Sequence, residues 1–280
     1  MVAQPQQAET DYTFEAFAQH GFYEIVNRHL VDITLRLREL SSAPIKRVLD
    51  LACGTGAVTQ LLIQGLEEHG DKAEVIALDP SESALEKARR LIGNGARFIR
   101  GTAESFAARV PRADVIVFCN AIHLLPEKDS VVEQAREVLN DEGVLAFNTS
   151  FYEGAYVPGT ERFYKLWMLR ALQMLKKENP NLKLDKSRPE AMRWLTPGEY
   201  RSLLERHGFV VEHMEAEEAL MTRESWQDIS HYSEFVKGAL PGIPVDIGAK
   251  VLTRAVAQAF EELHLDRLPR NWLQVVARAS

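Results

Sequence analysis

Two aspartates and two glycines carry the clearest chemical signal in this sequence. The stretch VLDLACGTGAVT, residues 48–59, reads as a buried strand, a glycine turn and the start of a helix. Such a turn presents backbone N–H groups and the positive end of a helix dipole, an arrangement suited to binding. A phosphate-gripping loop needs GxxxxGK[ST], and no lysine follows these glycines. A dinucleotide-binding turn needs GxGxxG; here the series is Gly54-Thr55-Gly56-Ala57-Val58-Thr59, with threonine at the third position, where helix and strand must approach closely. Asp50, at the end of the strand, would also set a like charge beside a pyrophosphate. A carboxylate there suits a ligand with a positive group, such as an amino-acid ammonium. Asp79 ends the next apolar run, EVIALD, and stands where an acidic residue can hydrogen-bond a ribose diol.

One carboxylate before the turn and another after the second strand describe an adenosine joined to an ammonium group, and S-adenosylmethionine has both. Each aspartate also has a plain structural role open to it. Asp50 can cap the helix that follows, and Asp79 can open a turn with Pro80.

Residues from about 46 to 150 resemble the class I, Rossmann-like, S-adenosylmethionine-dependent methyltransferases, in particular those acting on small molecules. The acid-x-G-x-G-x-G motif of that family is matched by Asp50-Leu51-Ala52-Cys53-Gly54-Thr55-Gly56, with alanine, another small residue, for the first glycine. The resemblance implies that Ala52, Cys53, Gly54 and Gly56 cradle the methionine part of the cofactor, and that Asp79, with Pro80 beside it, lies at the ribose. Thr102-Ala103-Glu104 matches the adenine segment, with threonine where the family usually has aspartate. Cys119-Asn120-Ala121-Ile122-His123 matches the end of the fourth strand, which implies that Asn120 lies near the methionine.

Methyl transfer from a sulfonium is a displacement at carbon. It needs a nucleophile held in line and shielded from water, and it requires no metal. A hydroxyl nucleophile usually wants a general base. His123, just past the fourth strand, is the candidate, because its ordinary pKa lies near neutrality and the family often has histidine there. Its alternative role is packing below the cofactor. Tyr12, His20, Tyr152, His231 and Tyr232 are further candidates. Phe151, Tyr152, Tyr156, Phe163, Tyr164 and Trp167, with Tyr12, Phe14, Phe17, Phe22 and Tyr23, form two aromatic-rich stretches, expected to cap a pocket for an apolar or aromatic acceptor. Secondary metabolites, quinone-like rings and carboxylic acids all fit, and oxygen, nitrogen and carbon remain open as the methylated atom. Two alternatives stand beside this reading. One is an isomerase or cyclase that binds the same cofactor without methyl transfer. The other is an NAD-dependent oxidoreductase, disfavoured by Asp50 and Thr59.

The elements that must position these residues alternate. RVLDLAC, EVIALD, ARFIRG, ADVIVFCN and GVLAFNTSF read as strands; between them lie helices at 57–68, 81–92 with Ser81 as N-cap, and 128–139, and a short helical piece at 104–109. A helical stretch is expected from Tyr12 to about Leu40, ended by SSAP, and another at 161–177. KKENPNLKLDKSRPE reads as a loop. Thr196-Pro197-Gly198-Glu199 has the marks of a capping box with proline at the first helical position. FVVEHMEAEEAL is a sixth strand, helices follow near 223–238 and 246–264, and NWLQVVARA is the last strand. The fold class is therefore α/β: a doubly wound, mostly parallel seven-stranded sheet with helical cap segments over the carboxyl ends of its strands. The expected divisions are a disordered start and cap helices at 1–43, a cofactor-binding core at 44–150, an aromatic-rich helical insertion at 151–195, and at 196–280 the rest of the sheet, with a helical insertion at about 223–268.

The chain has 280 residues, 46% apolar and 26% charged, an ordinary globular composition. A formal charge of -7 argues against a nucleic-acid coat protein. CNAIHLLP also lacks the Asn/Asp-Pro-Pro-aromatic segment of nucleic-acid methyltransferases, so no nucleic-acid partner is expected. Cys53 and Cys119 have no metal-ligand spacing and cannot form a disulfide framework. The start lacks a signal-peptide pattern and no run has the length of a membrane span, so the expected location is cytoplasmic.

Overall fold

The computed structural model describes residues 12–39, 44–185 and 193–280. Its centre is a seven-stranded sheet: β1 (Arg47–Leu51), β2 (Glu74–Asp79), β3 (Arg97–Arg100), β4 (Ala113–Cys119), β5 (Leu139–Thr149), β6 (Phe209–Thr222) and β7 (Arg267–Ala279), in the order β3-β2-β1-β4-β5-β7-β6. β1 to β5 pair in parallel, and β7 runs antiparallel to β5 with Phe147 opposite Val275. The mostly parallel seven-stranded α/β sheet expected from the sequence is the one observed.

The chain divides into two compact units. One comprises Tyr23–Ala155, Trp194–Glu217 and Trp272–Ser280. The other comprises the described residues of Met1–Phe22, Tyr156–Arg193 and Glu218–Asn271.

The first of these holds the parallel strands, and alternate strand residues feed separate cores on the two faces of the sheet. Leu49, Leu51, Ile76, Leu78, Ile116 and Phe118 pack with Val131, Val132 and Ala135 of the helix Lys128–Val138, and with Tyr200, Leu203 and Leu204 of the helix Pro197–Arg206. Val48, Val75, Val115 and Val117 pack with Leu30 and Leu35 of the helix Gly21–Glu39, and with Leu62 and Leu66 of the helix Ala57–His69. The capping box forms as read: Thr196 Oγ1 accepts from the Glu199 N–H, and the Glu199 carboxylate accepts from the Thr196 N–H.

In the other unit, Phe163, Trp167, Trp226 and Phe260 are buried against one another, with ring centroids 5.2–5.9 Å apart. The Trp167 indole N–H donates to the Leu252 carbonyl at 3.0 Å. These rings form the packing interior of that unit.

Several boundaries differ from the sequence reading. The stretch from Tyr12 forms two helices, Glu15–Ala18 and Gly21–Glu39, because the chain turns at Gln19 and resumes at a glycine. The stretch 223–238 is likewise broken, at Tyr232, into Arg223–His231 and Ser233–Ala239. There the Ser233 N–H donates to the Tyr12 carbonyl and the Tyr232 ring meets Phe14 edge-on at 5.2 Å, so contacts within the unit outweigh helical continuity. β5 starts four residues earlier than expected and β7 likewise, each lengthened by pairing that local periodicity does not encode. The first ten residues, most of SSAP and the end of KKENPNLKLDKSRPE lie outside the described residues, and its first three residues close the helix Glu161–Glu178. Among the described residues no helix is long and apolar enough to cross a membrane.

Candidate active site

β1 leaves the sheet at Leu51, and the next five residues turn sharply: Ala52 has φ +59°, Gly54 φ +55° and Gly56 φ +91°. Gly56 is needed twice over. Its backbone is left-handed, and a Cβ there would stand 2.9 Å from Ile92 Cδ1 and 3.1 Å from Ala88 Cβ. Gly54 is different: a Cβ there would meet nothing within 4 Å, so its backbone lines an open cradle. Ala52 is an L-residue in a conformation that glycine adopts more cheaply, so the alanine-for-glycine exchange strains the backbone as well as changing size.

The two aspartates flank this turn. Asp79 Oδ2 accepts the Gly54 N–H at 2.9 Å, and its Oδ1 accepts the Ser81 N–H at 2.8 Å across Pro80. Asp79 thus opens the turn after β2 and also ties that turn to the glycine loop. Burial holds its carboxyl above the usual range, opposed by these two N–H donors. Asp50 is 1% exposed and accepts the Thr59 hydroxyl at 2.6 Å. Burial pushes its carboxyl up to about 7, against the Thr59 hydrogen bond and with Asp79 adding to the rise. A cation placed beside Asp50 would restore its charge. An open glycine cradle between two carboxylates at the ends of adjacent parallel strands fits an adenosyl ligand that bears an ammonium group.

The remaining candidates follow along the same strand ends. The Gly101 N–H donates to the Asp79 carbonyl, which sets Thr102, Ala103 and Glu104 beside the end of β2. Ala103 is buried, Thr102 and Glu104 are exposed, and the Thr102 hydroxyl pairs with Ser105 at 3.2 Å. Cys53 and Cys119 are free and buried, and burial together with the nearby Asp50 raises both thiols.

At the end of β4, Asn120 has φ +54° and is held by a buried amide network. Its N–H donates to the Asn148 carbonyl and side-chain Oδ1, and its Nδ2 donates to Asn27 Oδ1 at 3.1 Å. The Trp272 indole N–H donates to Asn120 Oδ1 at 2.8 Å. Asn148 Nδ2 donates to the same Asn27 oxygen at 2.9 Å, and Asn27 Nδ2 donates to the Tyr23 carbonyl. The Tyr23 hydroxyl joins Asn27 and Asn120; burial, then Cys119 and Asp50, raise its pKa. Tyr23 enters the sequence reading only as one aromatic among several, and Asn27, Asn148 and Trp272 do not enter it. The one local signal was polar Asn148-Thr149 at the end of an otherwise apolar strand.

His123 lies in the turn Ile122–Leu124 after β4, half-buried and stacked on Phe151 with centroids 4.3 Å apart. Its Nδ1 is 3.0 Å from Thr149 Oγ1. Tyr152 is buried in the core of the same unit. Tyr12, His20, His231 and Tyr232 belong to the other unit. There Tyr12 meets the His231 ring at 4.6 Å, and His20 Nε2 pairs with Asp228 at 2.7 Å.

Residues 43–232 match the sequence model of a family described as a methyltransferase domain. The chain belongs to the class I, Rossmann-like, S-adenosylmethionine-dependent methyltransferase family. A 2-methyl-6-phytyl-1,4-hydroquinone methyltransferase from Oryza sativa subsp. japonica is 30% identical over 166 residues, covering 55% of this chain and 48% of that protein. The chain thus spans about half the length of that relative. The fold is shared with a protein from Bacillus halodurans C-125 assigned to the methyltransferases, with TM-score 0.51, 18% identity, and 88% of this chain and 97% of that one covered. It is shared as well with the [4+2]-cyclase SpnF, with TM-score 0.52, 16% identity, and 90% and 81% covered.

Proposed function

We propose that this chain transfers the methyl group of S-adenosylmethionine to a small acceptor with apolar or aromatic character. The observation that carries the reading is the open Gly54 cradle, tied by its N–H to the Asp79 carboxylate and flanked by buried Asp50. In this reading Asp79, with Pro80, receives the ribose, and Asp50 faces the ammonium group. Ala52, Cys53, Gly54 and Gly56 line the methionine part. Thr102, Ala103 and Glu104 lie along the adenine, and Asn120 closes the methionine end. His123 stands on the acceptor side. The hydroquinone substrate in the rice relative's name supports a ring-bearing acceptor.

The cofactor supplies an electrophilic methyl on a sulfonium, and the chain's own residues supply position. Backbone groups of the turn and the two carboxylates fix the adenosyl and amino-acid ends, so that the acceptor needs only one approach line. The buried amide network holds Asn120 rigid at the end of β4, and such pre-organisation costs nothing further during transfer. Shielding from water prevents loss of the methyl to solvent.

The test is formation of S-adenosylhomocysteine by the purified chain with S-adenosylmethionine and a panel of hydroquinones, phenols and carboxylic acids. Acceptor-dependent formation is expected. An acceptor that is rearranged with no S-adenosylhomocysteine formed would favour the cyclase reading, for which the shared SpnF fold is the supporting observation.

A further inference from the structure

The amide network at the end of β4 continues outward to the edge of the sheet. Gln274 lies on β7 opposite Asn148, two residues from Trp272 and on the same face. It is fully buried, and both hydrogens of its Nε2 are used: one donates to the Val26 carbonyl at 2.9 Å, the other to Glu217 Oε2 at 2.7 Å. Turning this amide over would set its oxygen against two acceptors, so its partners fix its orientation. The other end of the amide shows what that costs: Oε1 is buried with no hydrogen-bond partner among the described residues. An apolar side chain would avoid the orphaned acceptor, so Gln274 serves through its two donors. Glu217, on the edge strand β6, reaches the helix Gly21–Glu39 a second time. The same Oε2 lies 2.9 Å from His29 Nδ1, and because a carboxylate only accepts, the imidazole proton on that side is on Nδ1. One carboxylate thus holds the helix at His29 directly and at Val26 through Gln274. Asn27 falls between the two grips, and its Oδ1 has to meet Asn120 Nδ2 and Asn148 Nδ2 together, at 3.1 and 2.9 Å. Hydrogen bonds weaken steeply with distance and angle, so a small shift of the helix would loosen both.

We infer that Glu217 is a positioning residue for the cofactor site: from the edge strand it sets the helix Gly21–Glu39, through His29 and Gln274, so that Asn27 holds Asn120 in place at the end of β4. This rests on the reading above in which Asn120 closes the methionine end of the cofactor. The Trp272 indole N–H, which donates to Asn120 Oδ1 at 2.8 Å, reports where Asn120 stands.

The test is the ¹H–¹⁵N signal of that indole in the ligand-free full chain, assigned among the four tryptophans by its loss in Trp272→Phe. In Glu217→Ala the proton should move upfield as its hydrogen bond lengthens. A lesser move is expected in His29→Ala, which leaves the grip through Gln274, and the wild-type position in Glu217→Gln, whose amide oxygen still accepts from Gln274. A loss of stability alone leaves the signal of the folded protein where it is. In calorimetry on the same samples, S-adenosylhomocysteine should bind Glu217→Ala about three- to tenfold more weakly, the worth of one neutral hydrogen bond, and Glu217→Gln as it binds the wild type. An indole signal unmoved in Glu217→Ala and His29→Ala, or unchanged affinity in Glu217→Ala, would overturn the inference. Absent binding by the wild type sinks the cofactor reading instead, and the indole signal then decides the positioning claim alone.

Discussion

The two halves of the candidate site are built in opposite ways. At β1 and β2 the contacts are local: Asp50 reaches Thr59 nine residues on, and Asp79 reaches back 25 residues to Gly54, all within one strand–helix–strand unit. At β4 and β5 the amide network joins Asn27 to Asn120 across 93 residues, Asn27 to Asn148 across 121, and Trp272 to Asn120 across 152. The first half is a backbone device with two side chains attached. The second is a side-chain device that exists only after the sheet has assembled. The first half should therefore govern ligand affinity and the second the stability of the assembled site.

The largest effect is expected from Asn27→Leu. It removes the one oxygen that accepts from both the half-buried Asn120 amide and the buried Asn148 amide. At about 1–3 kcal/mol for each, unfolding free energy should fall by about 2–6 kcal/mol in a denaturant titration. A loss well under 1 kcal/mol would mean that the network does not brace the site. Asp79→Ala comes next: about 1.5–3 kcal/mol of S-adenosylmethionine affinity should be lost, the range for hydrogen bonds to a charged group, with the protein still folded. Unchanged affinity would erase the contrast between the halves.

Asp50 offers a pH test of the same half. Its carboxyl stands at about 7 in the fold against an ordinary 3.8, so the folded chain binds the extra proton. Its stability contribution is full below about pH 4 and is lost as pH rises through about 7. In the ligand-free protein, Asp50→Asn should flatten the fall in melting temperature between about pH 5 and pH 8. If an ammonium group sits beside Asp50, cofactor affinity should rise over the same window in the wild type and lose that dependence in Asp50→Asn. The smallest effect is a gain. Ala52→Gly relieves a left-handed alanine at the expense of backbone entropy, for a net stabilisation of about 0.5–1 kcal/mol in thermal unfolding.

The contrast also explains what the sequence could tell. Strand, turn and helix follow each other from Val48 to Thr59, so apolar runs and glycines suffice to read the turn, and Asp79 falls at the end of the next such run. The parallel order and the Thr196 capping box are likewise written in short windows. Asn27 is one polar residue among the apolar positions of a helix, and Trp272 looks like any core aromatic, because nothing in either neighbourhood encodes a partner more than 90 residues away. The breaks near residues 19 and 232 were hidden in the same manner. A helix interrupted to satisfy contacts with a distant segment leaves its periodicity intact. Ala52 shows a finer limit: the residue type suggested only size, and the strain became visible with its φ.

The most direct test of the central claim, that the glycine turn and its two carboxylates hold S-adenosylmethionine, is calorimetric titration of the purified chain with S-adenosylmethionine, S-adenosylhomocysteine and NAD side by side. The account predicts micromolar binding of the first two, weakened alike by Asp79→Ala, and no heat from NAD. Binding of NAD with neither adenosyl ligand bound would contradict it.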